Sequence, residues 1–413
     1  MGADGSARSA TPVEVVEMAR VLREAMDAGA AGLSSTHAPT HNDGDNHPVP
    51  SRFAELDELI ALADELGDIN RGSITYLPRS AVGGLDGDDM ELLIELARVS
   101  RLPVIIQGLG GRNKVDAPGA GWDVALEFLD RARTAGSAVY SLLLARPFDR
   151  PFTLAEGTTL YEGVPEWDRV VAPNVVDRRR LLEEPSVRDA PRQSVEHPNR
   201  DAARGSTLPP PHWDVLFVGS VVNPRLDEYV GRSVLDIAKE QDVTPADAML
   251  DLALADDLAT QFRWITETDE WMSAVREAQH NPHMIVGTSD GGAHLARNDG
   301  SDYSTYFLRR WVMDLGEWTL EQGIRQLASV PAAILGFRDR GSVRTGNWAD
   351  LMVFDPEEIR RPGRKELVHD LPGAAGRFQA YPNGIHATIV NGVSIVLNGI
   401  LTDHRPGEVI SPV

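Results

Sequence analysis

The sequence contains no cysteine. Disulfides, thiolate nucleophiles and cysteine-based metal sites are therefore excluded within the chain, and any metal must be held by histidine, aspartate, glutamate or a modified lysine. Basic residues are scarce beside acidic ones, with 40 Lys+Arg against 62 Asp+Glu and a formal net charge of −22. Such a balance repels phosphate backbones and anionic bilayers, so neither a nucleic-acid partner nor a membrane partner is expected. No apolar run approaches the roughly 18 residues that a membrane span needs. The opening MGADGSARSA lacks the apolar stretch of a signal peptide, and a cytoplasmic location is the expectation. Tryptophans such as Trp122, Trp264 and Trp271 occur singly at helical spacing, which suits core better than a stacking platform.

What is present is ordinary for a globular chain of 413 residues, with 42% hydrophobic and 25% charged residues. TPVEVVEMARVLREAMDAG reads as a helix: Thr11 can cap it, Pro12 suits its first turn, Glu14 completes a capping box and Gly29 stops it. AAGLSST then reads as a strand, FAELDELIALADELG as a helix and SITYL as a strand. The alternation continues through DDMELLIELARVS, LPVIIQG, GWDVALEFLDRARTAG and SAVYSLLLARP, which implies an α/β fold with a parallel sheet or a (β/α) barrel. Residues 150–212 break the rhythm with Pro, Arg and Glu clusters and read as an excursion over one end of the sheet. DVLFVGSVV is a further strand candidate, and Thr244 before Pro245 is a plausible helix cap. Beyond TLEQGIRQLASVPAAILGF the periodicity shifts to short strands with glycine turns, an NG hairpin signal among them.

One stretch concentrates chemistry: MIVGTSDGGAH, residues 284–294. Its apolar start reads as a buried strand and its glycines as a tight exit, so Asp290 belongs at a strand's carboxyl end, the catalytic edge of a parallel α/β protein. The alternative is a helix cap or an Asx-turn.

The order GTSDGGAH, then DRGSVRTGNWADLMVFD, then IVNGVSIVLNG, together with GAAGLSSTHAPTHNDGDNHPVPSR near the start, resembles the N-acyl-D-amino-acid deacylase (D-aminoacylase-like) branch of the amidohydrolase superfamily. The resemblance spans nearly the whole chain and is weakest over 150–212. It implies a metal-dependent hydrolase with a (β/α)8 TIM-type barrel and a small β-sandwich domain. Residues 1–340 would be the barrel from about its fourth strand onward, with an insertion near 150–282, and 341–413 the C-terminal part of the sandwich. The implied reaction is hydrolysis of the amide of an N-acyl-D-amino acid or related linear amide by a metal-activated water. The implied cofactor is a divalent metal, zinc at the family level, and the partner a small-molecule substrate, with homo-oligomerisation left open. Asp290 matches the family aspartate that contacts the metal and takes the proton of the attacking water.

The family's first barrel strand carries an H-x-H pair, and no two of the 11 histidines here are separated by one residue. SITYLPR and VIIQGLGG stand where further metal histidines are expected, which puts Tyr76 or Gln107 in their place. The simplest expectation is that Met1 is an internal methionine of a longer reading frame. A non-catalytic fragment or pseudoenzyme, and a dihydropyrimidinase-like cyclic-amide hydrolase, are the alternatives. His37 and His41, in the loop after AAGLSST, are candidate metal contacts beside Asp290, against the reading of a polar turn loop. Ser51 and Arg52 are candidate substrate contacts, Arg52 through a bidentate grip on a carboxylate. His294 is a further substrate or orienting candidate. His280 and His283 precede the strand and belong at the opposite, stabilising face. GLGGRN lacks the order of a phosphate cradle and reads as a turn.

Overall fold

The computed structural model describes residues 1–39, 41–43, 45, 47–80, 85–107, 122–158, 160–161, 164–173, 175–196, 213–289 and 300–410. Its first half follows the predicted alternation: α1 (Pro12–Asp27), β1 (Gly32–Thr36), α2 (Leu56–Ile69), β2 (Ser73–Leu77), α3 (Gly87–Ser100), β3 (Val104–Gln107), α4 (Trp122–Thr134) and β4 (Val139–Leu143). Thr11 and Glu14 close the capping box in both directions at the start of α1. The strands form a parallel sheet in the order β1-β2-β3-β4-β8, where β8 is Met284–Val286. All three residues of β8 are buried, as befits a strand covered on both faces. At Gly32 a Cβ would lie 2.1 Å from the carbonyl oxygen of Ser73, so the close β1–β2 start admits only glycine. The core behind this sheet joins Ile74, Tyr76, Val104, Ile106 and Leu143 to Leu66, Leu93, Phe128 and Trp311 from the helices.

Between β4 and β8 the chain builds a second unit with its own core. β5 (Asp149–Thr153), α5 (Pro165–Val171), α6 (Arg178–Glu183), α7 (Pro185–Glu196), β6 (Leu216–Ser220), α8 (Val234–Gln241), α9 (Pro245–Ala255), β7 (Gln261–Ile265) and α10 (Asp269–Ala278) follow in order. β5, β7 and β6 make an antiparallel sheet, and Phe152, Trp167, Trp213, Leu216 and Phe262 pack on one another with α8 and α9. DVLFVGSVV is thus a strand of this smaller sheet and not of the parallel one. Trp264 is core, as expected, but it lies on β7 and not at a helical position. Arg178, from the charged run VVDRRRLLEE, is buried and donates to the carbonyls of Leu154, Val170 and Ala172. It ties the segments before and after α5 together.

The chain then continues through α11 (Tyr303–Phe307), a π-helical stretch (Leu308–Asp314), α12 (Leu320–Leu327) and α13 (Ser329–Ile334). The C-terminal part holds β9 (Leu351–Phe354), α14 (Pro356–Ile359), a two-stranded hairpin of β10 (Arg364–Val368) and β11 (Arg377–Tyr381), and β12 (Ile385–Val390), β13 (Val393–Leu397) and β14 (Ile400–Leu401). Four of these strands form an antiparallel sheet, β14-β13-β12-β9. Asn391 and Gly392, at φ 48° and 80°, make the turn that the NG signal predicts.

Candidate functional site

The five parallel strands present their carboxyl ends along one edge, and His37 is the first residue past β1. Its backbone N–H donates to the carbonyl of Leu77 at 2.8 Å, which extends the β1–β2 ladder by one residue. The side chain is only 8% exposed. Nδ1 lies 2.8 Å from the hydroxyl of Tyr76, which is on β2 and 1% exposed, and the rings meet edge to face at 5.6 Å. Burial and the Asp89 carboxylate push the Tyr76 phenol well above its ordinary value, so it is neutral and carries its proton. That O–H needs an acceptor, and Nδ1 supplies one. With the bond in that direction the imidazole proton is on Nε2, a buried atom with no hydrogen bond within ordinary distance limits. Burial, with the Arg79 charge adding to it, holds His37 below the usual histidine value; Asp89 and the backbone at Ala54 and Ser51 offset part of this.

Asp89 of α3 holds Ser80, past the end of β2. Its carboxylate accepts from the backbone N–H of Ser80 at 2.7 Å and from the Ser80 hydroxyl, whose oxygen accepts in turn from the N–H of Asp86 at 3.0 Å. Ser80, three residues past β2, is thereby tied to the start of α3.

The loop that follows His37 is organised by its own turns. Asp43 accepts from the N–H groups of Asp45 and His47 at 2.9 and 2.8 Å, an Asx-type turn. Arg52 donates to the side-chain oxygen of Asn42 at 2.6 Å and to the carbonyl of His41 at 3.3 Å, so its guanidinium holds this loop. His41 itself is exposed; partial desolvation and the nearby Arg52 charge hold its imidazole below the ordinary value. Ser51 sits on a short 3-10 turn, Pro50–Phe53, with its carbonyl accepting from Ala54. The structure thus separates the two loop histidines: His37 is buried at the edge, and His41 faces outward. His283, at the opposite face, bonds the Val139 carbonyl through Nδ1 at 2.8 Å and stacks on Tyr140.

Asp290, His294 and the GLGGRN turn lie outside the described residues. Ser289, which immediately precedes Asp290, is described: its Cβ and the Cδ of Arg146 lie 3.5 and 3.9 Å from the position a Cβ would take on Gly300. Arg146, just past β4, is therefore beside the chain that leads into Asp290. Sequence reasoning missed Arg146 and Asp89; the only signal for Arg146 was its place after an apolar strand in LLLARP.

As to a metal, His37 Nε2 is a buried ligand-type atom without a partner, but one imidazole is fewer than the three or four ligands of a zinc site. Among the described residues, Asp355, Glu358 and His386 alone bring three ligand-type side chains together, and they belong to the C-terminal part. The described residues do not by themselves complete a metal centre at the edge.

Comparison with known proteins gives a consistent picture. A model of the amidohydrolase family matches residues 237–396. An uncharacterised protein of Mycobacterium tuberculosis is 26% identical over 384 residues, which cover 84% of this chain and 57% of that protein. The chain thus spans little more than half the length of this relative. The D-aminoacylase of Alcaligenes xylosoxydans xylosoxydans is 31% identical over 132 residues, 32% of this chain and 25% of that enzyme. A crystal structure of D-aminoacylase, described as defining a novel subset of amidohydrolases, aligns with a TM-score of 0.53 at 21% identity over 96% of this chain and 66% of that one. A second D-aminoacylase structure, concerned with the role of its binuclear metal centre, aligns with a TM-score of 0.52 over the same shares.

Proposed function

We propose that this chain, which matches a model of the amidohydrolase family over residues 237–396 and shares its fold with D-aminoacylase, acts in metal-dependent hydrolysis of N-acyl-D-amino acids or related linear amides. The observation that carries the reading is the family match over 237–396, a range that takes in the S-D-x-G-x-H stretch following β8 in the sequence and most of the C-terminal strands. The buried Nε2 of His37, at the carboxyl end of β1, supports it.

In this reading the water oxygen adds to the acyl carbon, the C–N bond breaks, and Asp290 takes the water's proton and passes it to the leaving amine. A divalent cation, when bound, polarises the carbonyl and acidifies the water. His37 offers the Nε2–H as a donor to substrate in its present tautomer. It offers an Nε2 lone pair to a metal once Nδ1–H donates to the Tyr76 oxygen instead. Arg52, engaged with Asn42 and His41, suits positioning of the loop better than a free carboxylate clamp.

A chain that binds ligand without turnover is the second reading. Purified protein supplied with divalent metal and offered N-acetyl-D-amino acids, their L-enantiomers and hydantoins separates the possibilities. Chelator-sensitive turnover of the D-amides alone is the expected result. Turnover of hydantoins alone contradicts the substrate class, and no turnover of any of them favours the second reading.

A further inference from the structure

A cavity of about 440 Å³ opens where three parts of the chain meet: the exit of β4 and the start of α11, the β5-β7 sheet, and the β10-β11 hairpin. Six basic residues line it, Arg146, Arg263, Arg309, Arg361, Arg364 and Lys365, against three acidic ones, Asp149, Glu267 and Asp302. Arg364 and Arg309 are paired with Glu366 and Asp314 outside the lining, so the excess of cations rests on Arg146, Lys365 and Arg361, against a chain net charge of −22.

The lining carboxylates are already engaged. Asp149 takes a two-pronged bond from Arg263, at 2.8 and 3.2 Å. Glu267 accepts from Arg310 at 3.2 Å and from the Tyr306 hydroxyl at 3.4 Å. Asp302 is shared by two cations: Arg146 Nε at 2.5 Å and Lys365 Nζ at 3.5 Å. Arg146 is 4% exposed, and Asp302 and Lys365 are 18% and 24% exposed, so the trio is largely withdrawn from water with one positive charge uncompensated. Despite their short separation, Arg146 Nε and Asp302 Oδ1 are out of line for a hydrogen bond, and each buried atom lacks a partner. Burial and the Arg146 charge together push the Lys365 ammonium below its ordinary value. A buried cation in excess is costly unless an anion joins it.

We propose that this cavity is a binding site for a small oxyanion, a carboxylate or a phosphate, held by Lys365 and Arg361 with Arg146 behind them. Arg361 has no side-chain hydrogen bond or ion pair among the described residues and stands at the cavity wall. Arg146 also borders the chain that leads into Asp290, but the proposal rests on the charges of the cavity and not on the hydrolytic reading, and it is tested by binding without turnover.

Calorimetric titration of the full chain with acetate, succinate and inorganic phosphate, at constant ionic strength in chloride, tests the site. Saturable one-to-one binding of at least one of them is expected; the anion that binds distinguishes a carboxylate from a phosphate source. Lys365→Met weakens that binding by ~10-fold or more, the equivalent of about 1.4 kcal/mol. Asp302→Asn, which frees both cations, tightens it and makes the thermal midpoint of the variant rise with the bound anion. Arg361→Gln, an exposed position, gives a smaller loss in a variant whose folding is not in question. No saturable binding of any of the three anions, or binding unchanged in Lys365→Met and Arg361→Gln alike, overturns the proposal.

Discussion

The hydroxyl of Tyr76 and Nδ1 of His37 lie 2.8 Å apart, both buried, at the carboxyl ends of adjacent parallel strands. The direction of this contact is tied to the tautomer: the Tyr76 O–H donates to Nδ1 when the imidazole proton is on Nε2. Tyr76→Phe keeps the ring and removes the donor, so a buried Nδ1 loses its partner at a cost of about 1–3 kcal/mol. Histidine ring 15N shifts check the tautomer: in the wild type His37 is protonated on Nε2, and in the variant that preference is lost. An unchanged tautomer contradicts the assignment.

The proposed role of Asp290 as proton acceptor is tested by Asp290→Asn, which keeps size and removes the basic oxygen. A loss of turnover by several orders of magnitude with KM little changed is expected. A variant that keeps more than about a tenth of the rate has lost only ~1.4 kcal/mol of barrier stabilisation, too little for the group that accepts the proton.

Trp311 anchors the helices to the exit of β4. It is fully buried, and its indole N–H donates to the carbonyl of Ala145 at 2.7 Å. Trp311→Ala is expected to destabilise the fold by about 3–5 kcal/mol, and Trp311→Phe by about 1–3 kcal/mol through the unpaired carbonyl. Denaturant unfolding midpoints read both values. A change below ~0.5 kcal/mol for the alanine variant contradicts this packing.

Acid sensitivity follows from the histidines. His37 and His283 are held below 6.5 chiefly by burial, and the exposed His41 by partial desolvation and the Arg52 charge, while the unfolded chain takes up its protons near that value. Because the unfolded state binds more protons in this window, their contribution to stability is complete above pH 6.5 and is lost as pH falls through the lower folded values. Unfolding midpoints are expected to drop between about pH 7 and pH 5, and His283→Gln to flatten that drop. Carboxylates such as Asp247, lowered by Arg192 and Thr244, act only at more acidic pH.

Much of this architecture is legible locally. The Thr11–Glu14 box, the Asn391-Gly392 turn and the buried triplet Met284-Ile285-Val286 are each encoded within a few adjacent residues. β5 and β7 were not legible. DRPFT carries charge and a proline, which is tolerated because β5 is an edge strand of its sheet, and QFRWI has a core tryptophan beside an arginine that pairs with Asp149. At the candidate site, the position of His37 could be read from the strand before it, but its Tyr76 partner 39 residues on could not. The Arg146–Asp302–Lys365 trio is likewise assembled by the tertiary fold from three distant segments, so no spacing rule announces it.

The central claim, metal-dependent amide hydrolysis that uses Asp290, is tested most directly by titrating a divalent metal back into metal-stripped protein while following turnover of an N-acetyl-D-amino acid. The account predicts a rate that rises with metal occupancy in the wild type and stays near background in Asp290→Asn at every metal concentration. A rate independent of metal, or a metal-dependent rate that Asp290→Asn leaves intact, would contradict it.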